Sequence, residues 1–277
     1  MRRMVITTDN LGKSFGRVRA VSNLSLAIAE GEIFGFLGPN GAGKTTTMRL
    51  LLGLLRPSTG TATVLGWDAW RQAARAHERV GYLPGDARLY DFMTGTEFLT
   101  LMARLRGRGE IGPGRRLAEH LGLDLSRRIK TYSRGTRQKL GLVQALMHAP
   151  QLLILDEPTA SLDPLVQEDV YEVLREQRAA GATVFFSSHV ISEVEKVCDR
   201  VGIIRRGQLV AVETVEGLRA RATRRVRVTL AEPPAGTLQL PGAVQVSEEG
   251  GEAEEDTMAC RSSRNQWSAL SIMRRLE

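Results

Sequence analysis

Three groups of side chains in this chain have the type and spacing for phosphate chemistry. The first is the run Gly38-Pro39-Asn40-Gly41-Ala42-Gly43-Lys44-Thr45-Thr46. In a G-x-x-x-x-G-K-[ST] loop the backbone N–H groups turn inward around phosphate oxygens, and the following helix adds the positive end of its dipole. Gly41 and Gly43 remove Cβ atoms that would obstruct the approach. Lys44 is expected to reach the β- and γ-phosphates, and the Thr45 hydroxyl to ligate a Mg²⁺ that bridges them. The second group is Asp156-Glu157, which closes the apolar run Leu152-Leu153-Ile154-Leu155. A carboxylate at the end of a strand beside a phosphate loop can hold Mg²⁺, usually through water, and a second one can orient or deprotonate an attacking water. The third is His189, after the strand 183–187, where it is the natural donor to a γ-phosphate oxygen.

These groups need elements to hold them. Residues 33–37 read as a buried strand ahead of the glycine loop, and residues 48–55 as the leucine-rich helix behind it. Residues 4–11 and 20–28 alternate as half-buried strands of a small antiparallel sheet, broken at Gly12, at Gly16 and at the Glu30-Gly31 turn. Phe15 at its rim reads either as a platform for a base or as a packing residue. Residues 56–60 form a turn, 61–65 a strand and 80–84 a short strand ending at proline. From Thr94 to His148 the pattern is helical: 97–106 is periodic, Gly112-Pro113-Gly114 is a break, and 115–121 a further helix. Ser133 opens another helix, with Leu140, Val143, Leu146 and Met147 on one face; taken alone it is an N-cap. His77, His120 and His148 read as surface or packing residues.

Charge and composition narrow the class without choosing a partner. Lys and Arg outnumber Asp and Glu by 38 to 31, a net charge of +7 that suits a polyanionic ligand, nucleic acid or an anionic membrane. Aromatic residues are only 5%, with no Arg/aromatic tract for stacking single-stranded bases. Cys198 and Cys260 lack metal-ligand spacing and fit a reducing interior. The N-terminus turns polar too soon for a secretory leader, and no run approaches the roughly 18 apolar residues of a membrane span. A membrane role is therefore expected to come through a partner.

Residues 38–46, Ser133 with Gly135, residues 152–157, Ser161-Leu162-Asp163 and His189, in that order, resemble the ATP-binding cassette family of transport ATPases over about residues 4–220. The resemblance implies an α/β fold: a P-loop NTPase core with an N-terminal antiparallel β subdomain, an inserted helical subdomain over about residues 87–148, and a short C-terminal accessory region over 221–277. It implies ATP and Mg²⁺, with Gly38, Pro39, Asn40, Gly41, Ala42, Gly43, Lys44, Thr45 and Thr46 around the phosphates. Phe15 would stack on adenine, Thr45 and Asp156 would serve the metal, Glu157 would be the general base and His189 the γ-phosphate switch. Ser133 and Gly135 would contact the γ-phosphate across a dimer of two cassettes, either a homodimer or a heterodimer with a second cassette, and Asp163 would bridge its two sites. A separate transmembrane permease is the implied partner, with no nucleic acid, and the implied location is cytoplasmic, on the inner face of the membrane.

Two positions depart from the family pattern. The signature usually reads Ser-Gly-Gly-Gln, and here Arg134 and Thr136 take its second and fourth positions. Gly85 stands where a glutamine that senses Mg²⁺ and water is common, with Asp86 adjacent. The surrounding Gly81-Tyr82-Leu83-Pro84-Gly85-Asp86 resembles cassettes of bacterial multidrug or antibiotic exporters. A soluble cassette ATPase acting on nucleic acid or the ribosome, and a regulatory cassette with little turnover, are the alternatives. Past the cassette, a hairpin joins 201–204 to 208–212. Arg219, Arg221, Arg224, Arg225 and Arg227 form a basic run, read as a solvated helix end or a lipid contact. Strands at 226–230, 238–240 and 243–246, an acidic stretch at 248–256 and a helix at 266–276 complete the expectation.

Overall fold

The computed structural model describes residues 3–86, 89–107 and 109–220 in full, and the backbone of 221, 224–229, 243–249 and 257–262. The expected strand at 238–240, the segment 250–256 and the helix at 266–276 lie outside the described residues, as do the side chains of Arg221, Arg224, Arg225, Arg227 and Cys260. The chain divides into two units, Met1–Val215 and Glu216–Glu277.

The first unit opens with a long hairpin, β1 (Met4–Phe15) and β2 (Val18–Ala29), paired antiparallel. Gly12 does not break β1 as its sequence suggested. The strand runs through it with register shifts, and the chain turns only at Gly16, whose φ of 58° suits glycine. Then come β3 (Ile33–Leu37), α1 (Lys44–Leu51), β4 (Thr59–Val64), β5 (Trp67–Asp68), α2 (Ala73–His77) and β6 (Val80–Leu83). β4 begins at Thr59, inside the stretch expected to be a turn. The first sheet has the order β2-β1-β4-β5.

The helical insertion holds α3 (Gly95–Leu105), α4 (Gly112–His120) and α5 (Arg134–Leu146). Gly112-Pro113-Gly114 is not a break but the first turn of α4, where proline's missing N–H costs nothing. α3 starts with a capping box: Thr94 Oγ1 accepts from the Glu97 N–H, and Glu97 accepts from the Thr94 N–H at 2.7 Å. After α5 come β7 (Leu152–Asp156), α6 (Pro164–Ala179), β8 (Thr183–Ser188), α7 (Ile191–Val197), β9 (Arg200–Arg205), β10 (Gln208–Thr214) and α8 (Val215–Arg221).

The second sheet has the order β10-β9-β3-β8-β7-β6, parallel throughout except for the β9–β10 hairpin. Every residue of β3, β7 and β8 is buried, as expected of parallel strands covered on both faces. Phe185 sits between Phe34 and Phe36, with ring centroids 6.0 and 5.3 Å apart. Ile6, Leu11 and Leu24 of the first sheet belong to the same apolar core as Phe34, Phe36 and Ile154 of the second. Among the described residues no helix is long and apolar enough to cross a membrane.

Within the second unit, β11 (Arg224–Thr229), β12 (Ala243–Glu249) and β13 (Thr257–Ser262) form an antiparallel sheet of order β11-β13-β12. The basic run thus continues from α8 into a strand rather than ending on a helix.

Candidate active site

The register of the parallel sheet assembles the site. β8 pairs with β3 at Leu37↔Ser188 and with β7 at Asp156↔Ser187, and β7 pairs with β6 at Leu83↔Leu155. Four strands therefore end on one line. From it emerge the glycine loop, the two carboxylates, His189 and the Gly85 turn. The carboxyl edge of a parallel sheet is where open α/β folds place ligands.

Gly41 and Gly43 adopt φ of 77° and 107°, which a Cβ disfavours. Their spatial roles differ. A Cβ on Gly43 would stand 2.5 Å from the Ala20 carbonyl oxygen, and one on Gly38 2.4 Å from that of Ile204; one on Gly41 would meet nothing within 4 Å. Gly38 and Gly43 seat the loop on neighbouring strands, and Gly41 leaves space beside it. Ala42 is buried and its carbonyl accepts from the Gly207 N–H, while Pro39 and Asn40 are exposed at the loop's tip and Thr46 is half-buried on α1.

Lys44 is only 5% exposed. Its ammonium donates to the carbonyls of Gly38 (2.7 Å) and Pro39 (3.3 Å) and lies 3.4 Å from Glu157 Oε1. His189 Nδ1 stands 3.3 Å from the same oxygen. Glu157 is thus flanked by an ammonium and an imidazole, yet a quarter of its side chain, 26%, is open to water. A carboxylate so placed can take a proton from a water on its open side. Its backbone is left-handed, φ 49°, a conformation that costs a non-glycine residue about 1–3 kcal/mol and clusters at functional sites.

Asp156 is buried and hydrogen-bonded through both oxygens. Thr45 Oγ1 donates to Oδ2 at 2.7 Å, and Ser187 Oγ donates to Oδ1 at 2.6 Å. Ser187 Oγ also accepts the Glu157 N–H at 3.1 Å. A side chain on Gly85 would point at this carboxylate, since a Cβ there would lie 3.4 Å from Asp156 Oδ2. Burial, and then the Asp156 charge, raise the nearby Tyr82 phenol above its ordinary pKa, with Arg49 opposing.

Thr45 and Asp156 offer a hydroxyl and a carboxylate oxygen 2.7 Å apart. That pair suits Mg²⁺, which takes hard oxygen ligands, keeps several waters and shares phosphate oxygens rather than filling an all-protein cage. No group of three or more His, Cys, Asp or Glu among the described residues forms such a cage.

The remaining expected residues stand apart from this cluster. Phe15 is 49% exposed at the end of β1, with Lys13 Nζ 5.1 Å from its ring centroid. Ser133 caps α5 by accepting the Thr136 N–H at 3.1 Å, and its hydroxyl pairs with Thr136 Oγ1 at 2.8 Å. Threonine at the unusual fourth signature position thus supports the serine. Gly135 packs so closely that a Cβ would lie 2.9 Å from the Ser161 carbonyl. Asp163, N-cap of α6, is exposed and makes no capping bond with its side chain. The signature turn and the Asp163 segment are thereby joined on one exposed surface.

Three contributors were not anticipated as such. Besides Ser187, Gln138 Nε2 donates to the Glu157 carbonyl at 3.1 Å and ties α5 to the carboxylate loop. Glu193 accepts from both Thr159 and Ser188, linking the segment after Glu157 to the one before His189. The available signal was chemical: buried hydroxyls and amides in apolar elements require partners.

The sequence profile of the ABC transporter family matches residues 21–160. An uncharacterized ABC transporter ATP-binding protein of Nostoc sp. is 42% identical over 228 residues, which are 77% of this chain and 68% of that protein. The linearmycin resistance ATP-binding protein LnrL of Bacillus subtilis is 35% identical over 222 residues, 78% of this chain and 71% of its own length. A solved structure described as the ATP binding subunit of an ABC transporter superposes with a TM-score of 0.71 at 30% identity, covering 78% of this chain and 92% of that one. A phosphate loop, two carboxylates and a histidine on one sheet edge, an inserted helical signature and these relatives agree: the chain belongs to the ABC transporter family, as one of its ATP-binding and ATP-hydrolysing subunits.

Proposed function

We propose that this subunit hydrolyses Mg·ATP with Glu157 as general base and, from the inner face of the cell membrane, powers export of a drug, an antibiotic or a lipid-like compound through a separate transmembrane permease. The observation that carries the site reading is the Glu157 carboxylate, whose Oε1 meets both Lys44 and His189 while a quarter of the side chain stays open to water. In this reading the glycine loop and Lys44 bind the β- and γ-phosphates, and His189 donates to a γ-phosphate oxygen. Glu157 orients and deprotonates the water. Thr45 and Asp156 would hold the magnesium ion, which would supply positive charge against the phosphate oxygens. Phe15 receives the adenine.

The second half of the proposal is a homodimer. Ser133 and Asp163 are exposed, and Gly135 packs on the Ser161 carbonyl between them; in this reading their contacts to nucleotide are made to a second copy. The linearmycin resistance relative supports an export role for the cargo-moving partner. Glu157→Gln tests the reading: it should bind ATP as the parent does and turn over about 100-fold more slowly or less, the lower range for a lost general base. A parental rate would remove Glu157 from its role. Copurification of a membrane permease with the tagged chain, and not nucleic acid, tests the partner.

A further inference from the structure

One hydroxyl touches both carboxylate residues at the end of β7. Ser187 is fully buried near the end of a strand that otherwise carries Val184, Phe185 and Phe186 into the core. A hydroxyl is costly there unless bonded. Its single hydrogen goes to Asp156 Oδ1 at 2.6 Å and its lone pair takes the Glu157 N–H at 3.1 Å. The direction of both bonds is set by chemistry, since a carboxylate only accepts and an amide N–H only donates.

The consequences for the two carboxylates differ. Asp156 is gripped at Oδ1 by Ser187 from β8 and at Oδ2 by Thr45 from α1, so its rotation is defined by two elements. Glu157 adopts the left-handed backbone that aims its side chain between Lys44 and His189, and in that strained state its N–H is satisfied by Ser187. Ser188 does not share the task, because its hydroxyl is engaged with Glu193 and Val190. We infer that Ser187 is a positioning residue for ATP hydrolysis: through one hydroxyl it holds the metal-facing carboxylate of Asp156 and the backbone of the base Glu157 in a fixed relation. The inference rests on the roles proposed above for Asp156 and Glu157.

The test compares Ser187→Ala, Ser187→Cys and Ser187→Thr in the full chain by steady-state ATPase activity against ATP and Mg²⁺, with binding of a fluorescent ATP analogue measured in parallel. Alanine removes the hydroxyl, cysteine keeps the size with a weak donor, and threonine keeps the hydroxyl. Alanine and cysteine should lower kcat about tenfold or more and raise the Mg²⁺ concentration needed for half-maximal rate, as losses of partners to metal-facing ligands do. The KM for ATP and analogue affinity should stay within about twofold, the pattern of an interaction used in the transition state. Threonine should recover most of kcat.

A parental kcat and Mg²⁺ dependence in the alanine or cysteine variant overturns the inference, and so does a loss in threonine equal to that in cysteine. Should the alanine variant fail to fold, the cysteine and threonine pair decides. Glu157→Gln, measured alongside, separates the two claims. If it turns over normally the role of Glu157 falls; if it is inactive while Ser187→Ala is normal, only the positioning role falls.

Discussion

Lys44 spends its charge inward, against Gly38, Pro39 and Glu157, and this arrangement sets what its loss would do. Transfer of the ammonium to phosphate oxygens exchanges one set of charge-assisted bonds for a stronger one. Lys44→Ala should weaken ATP binding by about 2 kcal/mol, roughly 30-fold in Kd. Equilibrium binding of ATP to the full chain measures it, and unchanged affinity would remove Lys44 from the phosphate site. His189→Ala should lower turnover more than ATP affinity, because the γ-phosphate bond proposed for it is one among several to the phosphates and its described partner is Glu157, the proposed base. At this scale the sequence located Lys44, Thr45, Asp156, Glu157 and His189 at loop and strand ends, and the fold brings them to one sheet edge. The sequence was silent on Ser187 and Gln138, whose roles exist only once β8 pairs with β7 and α5 packs on the carboxylate loop.

Helix ends and strand registers carry the element-level consequences. Thr94→Ala removes the cap of α3 and should cost about 1 kcal/mol of stability, read by chemical denaturation. The same box makes stability pH-dependent. Bonds from Thr94 hold the Glu97 carboxyl below its ordinary pKa, so its contribution is complete above the unfolded value and disappears as pH falls through the lower, folded value. Glu97→Gln should therefore narrow the stability difference between neutral and acid pH. Gly135→Ala would drive a Cβ toward the Ser161 carbonyl and shift the signature turn; nucleotide turnover should fall more than folding stability. In the sheet, Phe185→Ala would empty the space between Phe34 and Phe36 and cost roughly 3–5 kcal/mol. Glycine was the least reliable guide among the elements. Gly12 lies inside β1 and Gly112 inside the first turn of α4, because strand pairing and a following proline override local propensity.

Across the whole molecule, the α/β architecture followed from strands alternating with helices around a phosphate loop, and the family match agrees with it. α6 and α7 lie beyond the elements expected from the sequence. What the fold adds is two groupings within one chain. Lys44, Asp156, Glu157 and His189 share one sheet edge, and Gly135 packs on the Ser161 carbonyl with Ser133 and Asp163 exposed beside it. Under the proposed homodimer a single copy would contribute a phosphate cradle to one nucleotide site and a signature segment to the other. The molar mass of full-length Glu157→Gln in solution, with and without Mg·ATP, tests this most directly. The account predicts about 30.4 kDa without nucleotide and roughly twice that once ATP is bound and retained. A chain that binds Mg·ATP and stays at the mass of one copy would contradict it.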